Sequence, residues 1–225
     1  MSQVLPRTTL SQEHEHILRT GIQQLGLSVT DNQIGLLLDY LALFAKWNKA
    51  YNLSAVRDTR QMVSRHLLDS LAVVPFFQDS GSRLIDVGTG GGLPGMVLAI
   101  IFPRHQLTLL DSNGKKTRFL FQVKSELGLA NVQVENRRVE QFQPDEKFDV
   151  VVSRAFASLK DMTEGCHHLL SPTGQFYAMK GIYPEDELST LEKRYKVSSS
   201  HRLDIPGGEG ERHLLVLTNS HSSER

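Results

Sequence analysis

The chain has 225 residues, 40% of them hydrophobic, with 25 acidic and 25 basic side chains. That length supports one core plus a small extension, and zero net charge excludes nucleic-acid binding by bulk charge alone, so any such binding needs a local basic patch. Cys166 has no cysteine partner, no apolar run approaches membrane length, and Glu13, His14, Glu15 and His16 stand where a leader would be apolar; the expected setting is the reducing cytoplasm.

Residues 1–80 read as a helical extension. Ser11 is placed to cap a first helix running to about Leu25. Thr30-Asp31 cap a second, whose Ile34, Leu37, Leu38, Leu41 and Ala45 recur at helical spacing. A third is expected from about Thr59 to Val74, ending before Pro75. Between the second and third lies Trp47-Asn48-Lys49-Ala50-Tyr51-Asn52-Leu53-Ser54, a connector rich in groups that stack and hydrogen-bond. It suits either a packed helix end or part of a site.

From residue 81 to 225 strands and helices alternate, the signature of a parallel sheet in an α/β domain. The strands are Arg83 to Val87, Leu107 to Asp111, Val132 to Glu135, Phe148 to Ser153 and Gln175 to Lys180. Helices are expected from Asn113 to Leu127, capped by Ser112, from Leu159 to Leu170, and from Glu185 to Tyr195. Two last strands, Val197 to Asp204 and His213 to Thr218, flank a loop too short for a crossover helix, so they should pair antiparallel.

The informative stretch is Leu84-Ile85-Asp86-Val87-Gly88-Thr89-Gly90-Gly91-Gly92-Leu93-Pro94-Gly95, followed by the apolar run Met96 to Phe102. It reads as strand, glycine turn and helix N-terminus, the ligand-binding corner of a doubly wound sheet. Gly90-x-Gly92-x-x-Gly95 formally matches a dinucleotide fingerprint, which keeps an NAD-dependent oxidoreductase open. The fuller pattern Asp86-x-Gly88-x-Gly90-x-Gly92 resembles the first motif of class I S-adenosylmethionine-dependent methyltransferases. Asp111, about 20 residues beyond the turn, is placed to accept hydrogen bonds from ribose hydroxyls. Val139-Glu140, after the third strand, stands where an adenine would be flanked by an apolar and an acidic group. Arg154, just past the fourth strand, is out of place in a core strand and suits a cofactor, a phosphate or a base edge.

Lys115, Lys116, Arg118 and Lys124 lie off the apolar stripe of the Asn113–Leu127 helix. With Arg65 and Arg137-Arg138 they are candidates for the basic patch, although a solvated helix face has the same composition. No metal site is expected. His14 and His16, two apart on a helix, cannot share a face, and His167-His168 beside Cys166 lacks a second ligand pair.

Five motifs occur in order: Trp47-Asn48-Lys49-x-Tyr51-Asn52-Leu53-Ser54, Arg65-His66-x-Leu68-Asp69-Ser70, the glycine turn from Asp86 to Gly95, Leu110-Asp111-Ser112 and Ser153-Arg154-Ala155. Together they resemble the bacterial small-subunit ribosomal RNA guanine-N7 methyltransferase family, also called glucose-inhibited division protein B. The resemblance runs from about Leu25 to Leu217. It implies a class I methyltransferase fold, a mostly parallel seven-stranded sheet ending in an antiparallel hairpin. It implies methylation of a guanine in the 530 loop of 16S rRNA, on the naked RNA or the small ribosomal subunit. The cofactor, S-adenosyl-L-methionine, would touch Gly88, Gly90, Leu93, Asp111, Val139, Glu140 and Arg154. RNA would meet Arg65, Lys115, Lys116, Arg118 and Arg137. Gly91 departs from the family, whose members often carry proline there, and implies a looser turn. Guanine N7 offers a free lone pair, so no general base is required and no catalytic residue is assigned. Asn52, His66 and Asp69 are possible site-lining groups. A small-molecule methyltransferase with the same core is the alternative.

Overall fold

The computed structural model describes residues 10–220. Helix α1 (Gln12–Gln24) begins at Ser11, as expected. His14 helps cap it, accepting from the Ser11 amide at 3.1 Å, while its Nε2 lies 2.8 Å from Thr59 Oγ1. His14 is thus a buried brace between two N-terminal helices. Helix α2 (Asp31–Tyr51) starts in a reciprocal cap between Thr30 and Gln33. It runs through Trp47 and Tyr51, so the first half of the expected connector is helical. The chain leaves the helix at Asn52, whose left-handed φ of 52° ends it.

Asn48 explains the course of the connector that follows. Its buried amide donates to Val56 O at 2.8 Å, and its Oδ1 accepts from the Ser54 amide at 2.8 Å. Asn48→Ala strands both backbone groups and should cost about 2 kcal/mol, a fall of about 4–8 °C in thermal midpoint for a chain of this size. Scanning calorimetry showing a shift under 1 °C would remove Asn48 from this role.

The third helix is interrupted where one helix was expected. A short α3 (Thr59–Met62) passes into a π-helical stretch, Val63–Leu68, then α4 (Asp69–Leu71) and a 3-10 turn, Val74–Phe77, with Pro75 in its first turn. Wide turns of this kind are uncommon and concentrate at functional sites.

The sheet contains β1 (Arg83–Val87), β2 (Gln106–Leu110), β3 (Val132–Glu135), β4 (Phe148–Ser153), β5 (Leu170–Lys180), β6 (Tyr195–Arg202) and β7 (His213–Asn219). Their order is β3-β2-β1-β4-β5-β7-β6. The first five are parallel, and β7 runs antiparallel to both β5 and β6. This is the α/β architecture expected. Between the strands lie α5 (Gly95–Ile101), α6 (Gly114–Leu127), α7 (Leu159–Cys166) and α8 (Glu185–Leu188).

Several boundaries differ from expectation. Asn113, not Ser112, caps α6, because its Oδ1 accepts the Lys115 amide at 3.0 Å. The expected 159–170 helix closes at Cys166 with a 3-10 turn, and β5 begins five residues earlier than expected, at Leu170. The 185–195 helix stops after one turn. Ser189 Oγ and Thr190 Oγ1 donate to the carbonyls of Asp186 and Glu187, which replaces the next helical bonds with local ones.

Alternation along the strands gives the sheet two buried faces. Leu84, Val150 and Val152 join the core formed with α1, α2, the π stretch, α5 and α6. Ile85 and Val151 join a second core with α7. The N-terminal helices therefore share one continuous core with the sheet. Trp47 is part of that seal: its ring lies 5.6 Å from Phe119 and its Nε1 donates to Gln122 at 2.9 Å.

Candidate active site

The carboxyl ends of β1 and β4 open onto a cavity of about 510 Å³, closed on its other sides by the π stretch and the start of β7. Such crevices are where ligands bind in open α/β sheets.

At the end of β1 the chain turns back under a buried carboxylate. Asp86 Oδ2 accepts from Thr89 Oγ1 at 2.7 Å and from the Gly95 amide at 2.9 Å, tying the turn to the start of α5. Burial pushes the Asp86 carboxyl up to about 6, against the opposing effect of those two donors. Gly88 and Gly90 are left-handed, at φ +68° and +61°, so two stretches of bare backbone face the cavity. Asp111, one residue past β2, accepts from the Gly90 amide at 2.9 Å through Oδ2 and from the Asn113 amide at 2.8 Å through Oδ1. A carboxylate has about four acceptor positions, so capacity remains for two further donors.

Gly91 does not loosen the turn. The Tyr40 hydroxyl donates to its carbonyl at 2.6 Å, and a Cβ there would meet Phe44 at 2.3 Å. Helix α2 therefore presses directly on the glycine turn.

On the opposite wall Asp69 is buried and divided between two arginines. Its Oδ2 accepts from Arg154 Nη1 at 2.9 Å, and its Oδ1 accepts from Arg212 Nε at 2.9 Å. Arg65 pairs with Glu209. Lys180 is committed to Glu187 and to the carbonyls of Phe156 and Ala157. His66 is also buried, its ring 5.0 Å from Phe44, and neither ring nitrogen has a hydrogen-bond partner. Burial lowers its pKa from the ordinary histidine value, which favours the uncharged ring.

The structure brings Gly88, Gly90, Leu93, Arg154, Arg65, His66 and Asp69 to the cavity, with Asp111 one hydrogen bond behind Gly90. Val139 and Glu140 form a 3-10 turn outside its lining. Asn52 is exposed at the end of α2, while its neighbours Leu53 and Ser54 reach the wall. Lys115 and Arg118 are exposed on α6, Lys116 Nζ lies 3.8 Å from Asp111 Oδ2, and exposed Arg137 pairs with Glu135 at 3.5 Å. Sequence reading missed Arg212, Tyr40 and Lys180. Cys166 belongs to the second core, its thiol pushed up to about 12 by burial. Among the described residues no group of three metal-ligating side chains occurs, and no helix is long and apolar enough to cross a membrane.

Sheet order, glycine turn and the acid after β2 define a class I methyltransferase fold. Solved structures agree on the fold: TrmN from Thermus thermophilus (TM-score 0.55, 17% identity, covering 70% of this chain and 53% of that one) and a ribosomal protein L11 methylase from Lactobacillus delbrueckii subsp. bulgaricus (TM-score 0.53, 18% identity, 68% and 77%). A family model described as "rRNA small subunit methyltransferase G" matches residues 33–215, and the chain belongs to that family. Two curated relatives bear the name ribosomal RNA small subunit methyltransferase G. One, from Stutzerimonas stutzeri (strain A1501), is 55% identical over 92% of this chain and 97% of its own length. The other, from Cellvibrio japonicus (strain Ueda107), is 59% identical over 89% and 93%.

Proposed function

We propose that this protein transfers a methyl group from S-adenosyl-L-methionine to N7 of a guanine in the 530 loop of 16S rRNA, in the cytoplasm. The observation that carries the reading is one juxtaposition. Bare glycine backbone backed by Asp111 faces a cavity whose far wall is cationic.

The residues present fit the cofactor. A Cβ at Gly88 would meet Ala155 at 2.7 Å, so the backbone there is kept bare. Gly88, Gly90, Leu93 and Arg154 would hold the amino-acid end, Asp111 the ribose, and Val139-Glu140 the adenine from outside the cavity. When bound, the cofactor supplies an electrophilic methyl group on a sulfonium sulfur. The chain's part is to aim the N7 lone pair at it, an orientation effect that needs no base. As the purine becomes cationic this wall offers it no net negative charge, because Asp69 is shared by Arg154 and Arg212; the chain's contribution is the alignment.

The decisive experiment incubates the enzyme with tritium-labelled cofactor and small-subunit particles. Label is then mapped by borohydride reduction and aniline scission, which cuts the strand at N7-methylguanine. A single cut in the 530 loop is expected. Label on another base, or none in RNA, sinks the reading.

Membership of this family favours an RNA substrate over a small molecule, and the α6 cations test that choice. Lys116 sits close to Asp111, so the clean variant is the double Lys115→Ala, Arg118→Ala. It should keep cofactor affinity within twofold. Its affinity for 16S rRNA should fall about tenfold, with a salt slope shallower by about 1.4–1.8, from about 0.7–0.9 per phosphate contact. An unchanged affinity and salt slope would remove Lys115 and Arg118 from the RNA surface, and a wild type with no affinity for 16S rRNA would favour the small-molecule alternative.

A further inference from the structure

The cavity's charges do not balance. Arg65, Arg154, Lys180 and Arg212 line it, and Asp69 is the acid among the lining residues. Lys180 is consumed by Glu187 and two carbonyls, and one carboxylate cannot neutralise both arginines it holds. Arg154 reaches Asp69 from the end of β4, beside the glycine turn. Arg212 reaches it from the other side, out of the 203–212 loop that joins β6 to β7.

That loop docks on the π stretch. A Cβ at Gly207 would come within 2.9 Å of Ser64 Oγ, and the next residue along the stretch, Arg65, pairs with Glu209 of the same loop. Arg65 and Arg212 therefore both line the cavity where this loop lies against the π stretch. Their present partners differ in permanence. Asp69 is buried, whereas the Glu209 side chain is 81% exposed. An exposed ion pair contributes little and yields readily to a better anion.

We propose that Arg65 and Arg212 form a phosphate-binding pair that takes a backbone phosphate of the RNA strand entering the cavity, with Glu209 occupying Arg65 until RNA displaces it. This rests on the reading of the substrate as RNA. Asp69 is a positioning residue: it fixes Arg212 by one oxygen and Arg154 by the other, linking the RNA side to the cofactor side. Arginine suits the task, since its planar fork matches phosphate oxygens and its charge persists at all working pH.

The test measures affinity for purified 16S rRNA by filter binding across a salt series, with calorimetric titration of S-adenosylmethionine on the same proteins. Arg212→Ala should lose about tenfold in RNA affinity and make the salt slope shallower by about 0.7–0.9, the value of one phosphate contact. Cofactor affinity should stay within twofold. Arg212→Lys should restore the slope, because a phosphate contact counts charge, whereas a purely structural fork to Asp69 would not be restored. Glu209→Gln should bind RNA two- to fivefold more tightly. The proposal is overturned if the slope is unchanged in Arg212→Ala, or if cofactor affinity falls instead, which would place Arg212 against the cofactor's carboxylate. Failure of the wild type to bind 16S rRNA would fault the RNA reading itself.

Discussion

Asp111→Ala should weaken binding of S-adenosylmethionine by about 1–3 kcal/mol, a loss of about 5- to 150-fold in a calorimetric titration. The carboxylate serves in two ways. It accepts the Gly90 and Asn113 amides, which holds the glycine turn against the start of α6. Its remaining lone pairs are the acceptors proposed for the ribose hydroxyls. Alanine removes both, so the variant should also lose thermal stability without cofactor, since two backbone amides go unpaired. Asp111→Asn separates the roles. It preserves volume and one acceptor, so most stability should return while affinity stays low, because the amide presents a donor where an acceptor is needed. Affinity within twofold of wild type in both variants would show that the cofactor's ribose lies elsewhere.

How much of this was legible in the sequence follows from how local each interaction is. The glycine turn and Asp111 are readable because their geometry is set within a strand and the residues that follow it. The strands were readable for the same reason: Val150-Val151-Val152, β-branched and apolar without alternation, has the pattern of a strand buried on both faces, and all three are buried. Errors fell where neighbouring residues offer equivalent chemistry. Ser112 and Asn113 are both good caps, and only the backbone path selects the second. The expected 185–195 helix failed where hydroxyls competed for its carbonyls. Arg212 was invisible because its meaning lies in Asp69, 143 positions away in sequence. Tyr40 was equally hidden, since at helical spacing an aromatic reads as core. It is core, and its hydroxyl alone reaches Gly91.

The Asp86 carboxylate makes a pH-dependent prediction whose sign opposes the usual one for an acid. Most carboxylates gain partners on folding, their acidity rises, and they stabilise the fold above their unfolded value. Asp86 is fully buried, and loss of hydration outweighs its hydrogen bonds to Thr89 and Gly95, so the folded value rises to about 6 from 3.8. The folded state thus favours the protonated form. Well below pH 3.8 the group is protonated in both states and there is no penalty, and between 3.8 and 6 the unfolded chain ionises first and the penalty builds. As pH rises through 6 the folded protein must hold a buried negative charge, and the stability present at low pH is lost. At about 1.4 kcal/mol for each tenfold step, the loss is of the order of 3 kcal/mol. Other groups titrate over the same range, so the measurement is a double difference. Urea unfolding of wild type and Asp86→Asn at pH 4.5 and pH 7.5 isolates this group. The asparagine variant should be less stable at pH 4.5, where the protonated acid serves the turn better than an amide can. Between the two pH values it should gain about 2 kcal/mol relative to wild type. A gap that stays constant within 0.5 kcal/mol would mean that Asp86 keeps an ordinary acidity. The turn would then draw enough stabilisation from Thr89 and Gly95 to hold a full charge beneath the cofactor site at no cost.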